Sequence, residues 1–190
     1  MNTQTATQPT TKTVNGVNVT ALFETIDAVK NDQELAAFQF RSNNHWIDGG
    51  HNRSSIQSFY GCRSEDTTRS EPFMLDADEP PILLGQDKGA NPVEYILHAL
   101  AACLTTTMVY HAAARGIEIE AVDSALEGDL DLRGFLGLSD QVRKGYHDIR
   151  VKMRVKSSAT PSVLKELAQF SPVFDVVSRS VPVKVEIETY

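Results

Sequence analysis

Cysteine is scarce in this chain: two thiols, Cys62 and Cys103, in 190 residues. That is too few for a disulfide framework, and in a reducing compartment a Cys62–Cys103 bridge would be a transient, catalytic one. Basic clusters are lacking too. Eighteen Lys and Arg stand against 25 Asp and Glu, and a net charge of −7 repels phosphate backbones and anionic lipid. Nucleic acid and membrane are therefore not expected as partners. We find no apolar run of the roughly 18 residues that span a bilayer, and a polar, Thr- and Gln-rich start without a hydrophobic signal core predicts a cytoplasmic protein. A Gly-rich phosphate loop and internal repeats are missing. His98 and His111 share one helix at a spacing that fits neither a metal pair nor a Cys-His dyad, and His45, His51 and His147 are scattered singly, so neither a metal nor a cofactor is expected.

What is present is ordinary globular material, 41% hydrophobic and 23% charged, enough for one core. Residues 1–16 read as a disordered tail and 17–190 as one domain. Leu22, Phe23, Ile26 and Val29 recur at helical intervals behind a Thr20 cap, which predicts an N-terminal amphipathic helix. From Phe38 to Leu84 the texture is strand and turn, with a hairpin at Asp48-Gly49-Gly50 and strands over Ser54–Cys62 and Glu71–Leu75. Asn91-Pro92 opens a long helix that is apolar on almost every face and ends at Gly116. Ile149, Val151, Met153 and Val155 alternate with Arg150, Lys152, Arg154 and Lys156, as a half-exposed antiparallel strand requires. Short helices follow from Pro161 and from the Ser171-Pro172 cap, and Val181, Val183, Val185 and Ile187 predict a last strand. The class is α+β, antiparallel sheet packed around a long buried central helix.

Cys103 is the best chemical lead. On a helical wheel it shares a face with Ile96, Ala99, Leu100, Thr106, Thr107 and Tyr110, so a deeply buried thiol is expected. Desolvation silences such a thiol unless another segment brings a cation or donor, and it lies about three turns in, beyond the reach of the helix dipole. Inert core cysteine and shielded nucleophile both stand at this point. Asp76, Asp78 and Glu79 read as a solvated acidic turn rather than a calcium site. Ser171 and Ser178 lack a nucleophile-elbow context.

Gly89-Ala90-Asn91-Pro92-Val93-Glu94 through Ala101-Ala102-Cys103, followed by Arg115-Gly116-Ile117, resembles the signature of the OsmC/Ohr family, named for osmotically inducible protein C and organic hydroperoxide resistance protein. Glu127-Gly128-Asp129-Leu130-Asp131, Arg143-Lys144-Gly145-Tyr146 and Ser171-Pro172-Val173 resemble its OsmC-like branch. The resemblance implies an intertwined homodimer with thiol pockets at the subunit interface. It also implies thiol-dependent reduction of organic hydroperoxides, with Cys103 at the peroxidatic position and Arg53, just after the first strand turn, as the activating cation.

Two positions depart from the family pattern. Where the resolving cysteine is expected stands Ser171, and where a carboxylate follows Asn-Pro stands Val93, with Glu94 one residue later on a different helix face. Cys62 is the internal candidate to replace the missing thiol; otherwise an external thiol reductant is implied. An alternative is the same fold acting as a non-catalytic binding protein for small hydrophobic molecules. Hydrolysis or transfer through Glu94 or a histidine finds no paired geometry to support it.

Overall fold

A computed structural model of the protein describes residues 12–189. The chain groups into two compact units that divide between Ile96 and Leu97. The class is mixed α+β with small antiparallel sheets.

In the first unit, β1 (Thr13–Val14) pairs with β2 (Val17–Asn18) across Asn15-Gly16. Both turn residues have positive φ, 53° and 77°, as a two-residue turn with the strands' own twist demands. Residues 13–16 of the expected tail are thus a hairpin, and the rest of that tail lies outside the described residues. Helix α1 (Val19–Asn31) follows; its cap is Asn18, whose side chain accepts from Ala21 N, rather than Thr20. β3 (Asn43–Asp48) and β4 (His51–Ile56) form the expected hairpin. The strand expected over Ser54–Cys62 breaks at Gln57-Ser58 into β4 and β5 (Phe59–Gly61), and β5 pairs with β6 (Ser64–Asp66). β7 (Phe73–Ala77) completes a sheet of order β3-β4-β7.

Helix α2 (Pro92–Ala114) crosses the division between the units. Asn91 Oδ1 accepts from Val93 N while the Glu94 carboxylate accepts from Asn91 N, a reciprocal cap of the first turn. Gly116, φ 68°, ends it, with Ile117 N donating back to Ala112 O. At 23 residues this helix is long and apolar enough by composition to cross a membrane, which corrects the expectation that no run is.

In the second unit, β8 (Ile119–Asp129) and β9 (Asp148–Ser157) form a long two-stranded ribbon, with α3 (Leu132–Phe135) between them in sequence. α4 (Pro161–Ala168) and α5 (Pro172–Ser178) follow. Leu100, Leu104, Met108 and Ala112 of α2, spaced four apart, are buried together with Leu164, Leu167 and Ala168 of α4, and the inward face of the ribbon packs on them. Burial of α2 on almost every face is not what the chain shows. Beyond this stripe only Ala113 of the helix is buried, and Tyr110 keeps 48% of its surface. The strand expected at Val181–Ile187 is also not formed: the segment pairs with nothing among the described residues, and Val183 and Ile187 are 79% and 84% exposed.

Candidate functional site

Cys103 sits on α2 beside the buried stripe, one residue before Leu104, and its side chain is half-buried rather than deep. Its Sγ lies 3.9 Å from Thr107 Oγ1, one turn on, a pairing the helical wheel predicts. The thiol therefore has a polar neighbour and a path to solvent, the two features a sealed core cysteine lacks. Thr107 is itself half-buried, so the hydroxyl is held at the edge of the apolar stripe.

Arg53 lies on the exposed side of β4, directly opposite Asp76 of β7. Its Nε and Nη2 donate to the two carboxylate oxygens at 2.9 and 3.1 Å, a bidentate pair that fixes the guanidinium plane. His51 Nε2, two residues back on the same strand, donates to the same Asp76 Oδ1 at 2.7 Å. The Arg53 guanidinium, with His51 beside it, holds the Asp76 carboxyl below its ordinary range. Tyr95 of α2 donates its hydroxyl to the Asp76 main-chain oxygen at 2.6 Å. Gly89 approaches that same carbonyl so closely that a Cβ would stand 2.1 Å from the oxygen, which is why glycine opens the segment leading into α2.

Asp78 is not part of a solvated turn, contrary to expectation. It is 2% exposed and accepts from the backbone N–H groups of Glu79, Gln86 and Lys88 at 2.8, 3.1 and 3.2 Å, pinning the loop that leads to α2. Burial pushes its pKa up, but those three donors with the nearby His51 outweigh it and hold the carboxyl below its ordinary value. Glu79 accepts from the Asn91 side chain, joining the two ends of the same loop.

The other candidates take structural places. Glu94 is engaged in capping α2. Cys62, expected in a strand, occupies the exposed β5–β6 turn with Arg63, both at positive φ (49° and 64°). Arg63 reaches back to Asp32 and Glu34. Ser171 is buried and its hydroxyl accepts from Phe174 N to cap α5. No group of three or more His, Cys, Asp or Glu able to hold a metal occurs among the described residues.

Asp76 is the residue that sequence reasoning missed as Arg53's partner. Twenty-three residues separate the two, and only the β4–β7 register makes them neighbours.

The model of the OsmC-like protein family matches residues 85–186, more than half the chain. Among solved structures, an OsmC-like protein from Mycoplasma pneumoniae is similar at 16% identity and a TM-score of 0.53, covering 75% of this chain and 89% of that one. An OsmC-like protein of unknown function from Vibrio cholerae is similar at 12% identity and a TM-score of 0.53, covering 75% and 93%. These likenesses show the fold. No curated protein matches the chain.

Proposed function

Because the chain belongs to the OsmC-like family, we propose that Cys103 is a peroxidatic thiol that reduces organic hydroperoxides. The observation that carries the reading is a partly exposed thiol beside the Thr107 hydroxyl, inside the matched segment. In the step proposed, the Cys103 thiolate attacks the outer peroxide oxygen and the O–O bond breaks. The alkoxide leaves and takes a proton to become the alcohol, while sulfur, oxidised by two electrons, becomes a sulfenic acid. Ser171 cannot resolve it through a disulfide, and its hydroxyl is committed to capping. An external dithiol therefore condenses with the sulfenic acid, releasing water, and its second thiol frees Cys103 as the dithiol becomes a disulfide.

Arg53 is proposed as the cation that favours the thiolate, held in orientation by Asp76 through Nε and Nη2, with no hydrogen bond to Nη1 among the described residues. A cytoplasmic homodimer, expected from the resemblance, belongs to the same proposal.

The test is to add one equivalent of an aryl hydroperoxide, trap sulfenic acid with a selective nucleophile, and read the adduct by mass spectrometry. Adduct confined to residue 103 and lost in Cys103→Ser supports the reading; Arg53→Met should slow its formation by at least tenfold near neutral pH. Silence at Cys103 in the native protein would overturn the enzyme and leave the carrier for small hydrophobic molecules. Cys62→Ser in the same assay should leave turnover with an external dithiol unchanged.

A further inference from the structure

Within the first unit, the Asp76 carboxylate of β7 receives three hydrogen bonds from two side chains of β4. His51 and Arg53 are two residues apart and so share a face of that strand; Asp76 is directly opposite Arg53 and diagonal to His51. A carboxylate offers about four lone-pair sites. The Arg53 fork takes one on each oxygen, and His51 Nε2 takes a further one on Oδ1 at 2.7 Å, the shortest of the three bonds.

The fork alone would hold Arg53 poorly. Its side chain is 46% exposed, and an exposed pair returns little more than the entropy spent in ordering it. The His51 side chain is 19% exposed, the least of the three. Tyr95 and Gly89 fix the main chain at Asp76, so the freedom that remains is rotation of the carboxylate about a soft torsion. A donor on Oδ1 from outside the fork removes that freedom. Asp48, opposite His51 in the β3–β4 register, and the buried Asp78 are the other carboxylates near the ring. Neither accepts a hydrogen bond from it among the described residues, so the His51 donor is committed to Asp76.

We propose that His51 is a positioning residue: its Nε2–H locks the Asp76 carboxylate, and the locked carboxylate aims the Arg53 guanidinium. The chemistry served rests on the peroxidase reading, in which Arg53 favours the thiolate. The lock is a property of hydrogen bonds and is measurable without peroxide. A neutral His51 must carry its proton on Nε2, because the other tautomer has no donor there. Protonation of the ring adds a proton at Nδ1 and leaves the bond to Asp76 in place.

The experiment is nitrogen-15 NMR of the full-length native protein, His51→Gln and His51→Leu, with the rate of sulfenic acid formation at Cys103 followed in each. Gln brings an amide N–H to the place of Nε2–H, whereas Leu fills the space without a donor. Expected are the Nε2–H tautomer in the native protein and exchange of the Arg53 Nε–H with water that quickens about tenfold in His51→Leu and returns close to native in His51→Gln. Sulfenic acid formation should slow about tenfold in His51→Leu, as misplacement of a reacting group does, and recover to within about twofold in His51→Gln. The Nδ1–H tautomer, native exchange of Arg53 in His51→Leu, or equal losses in both variants would overturn the proposal. The tautomer is read in the native protein, so the test survives a variant that does not fold. The expected exchange pattern with an unreactive Cys103 would fail the peroxidase reading while supporting the lock.

Discussion

Helix α2 and the segment Val181–Ile187 both carry a regular set of apolar side chains, and only one of them acquires regular structure among the described residues. In the helix every interior N–H finds a carbonyl four residues away, so its backbone is satisfied before any tertiary partner arrives. A strand has no internal partner. Val181, Val183, Val185 and Ile187 present a regular apolar row, yet without a sheet edge to pair with they stay 53–84% exposed. The β8–β9 ribbon sharpens the lesson, because there the same alternation meets a mate across ten registered pairs and folds. Apolar periodicity determines which face is buried; the supply of hydrogen-bond partners determines whether the element forms at all.

The largest effect that separates the two regions should come from paired truncations. Met108 is 1% exposed in the α2 stripe, and Met108→Ala should cost about 2–5 kcal/mol through lost burial and the cavity left behind. Val183→Ala, at an exposed site, should stay within about 0.5 kcal/mol. Urea denaturation of both variants measures the contrast. A Val183→Ala loss comparable to the core value would break the comparison, since the segment would then be covered in solution by its own chain or by a second copy.

A smaller effect tests how α2 is started. Gly89→Ala drives a methyl into the Asp76 carbonyl, which Tyr95 also holds, so backbone must shift at the helix entrance. The cost should be about 1–3 kcal/mol, as for overpacking elsewhere. Amide exchange in residues 88–95 should quicken in parallel. Unchanged exchange there would mean that the helix is seeded by its own caps alone, strengthening the view of α2 as self-sufficient.

Much of the second unit was legible because its signals are local. The Ile149–Val155 alternation, the Ser171-Pro172 cap and the Gly116 stop each depend on residues within a few positions, and each is observed. What was illegible depends on register or on partners. Asp76 becomes Arg53's mate only through the β4–β7 pairing, and Asp78 is buried because a distant part of its own loop supplies two amides. Cys62 falls in a turn because the chain reverses at Cys62-Arg63, with no Gly or Asn at its centre to announce it. Cys103 was placed too deep for a different reason: an all-round apolar helix carries no mark of which stripe its own chain will cover.

The smallest effect concerns protons at the far end of α2. His111 is stacked on Phe170, with ring centroids 4.5 Å apart, and burial, with Arg115 nearby, lowers its pKa below the ordinary value of 6.5. A base with a depressed folded-state pKa resists protonation in the native protein but not in the unfolded chain. The unfolded chain therefore gains protons first as pH falls through about 6.5, and stability present above that value drains away until the folded-state pKa is passed. Replacing the ring by His111→Phe keeps the stack and removes the titration. Thermal melts should then show the native protein losing more stability than the variant between pH 7.5 and 5.5. Identical losses would mean that the C-terminal turn of α2 opens readily enough to solvate the ring, and the helix would be less self-sufficient at that end than its unbroken hydrogen-bond ladder implies.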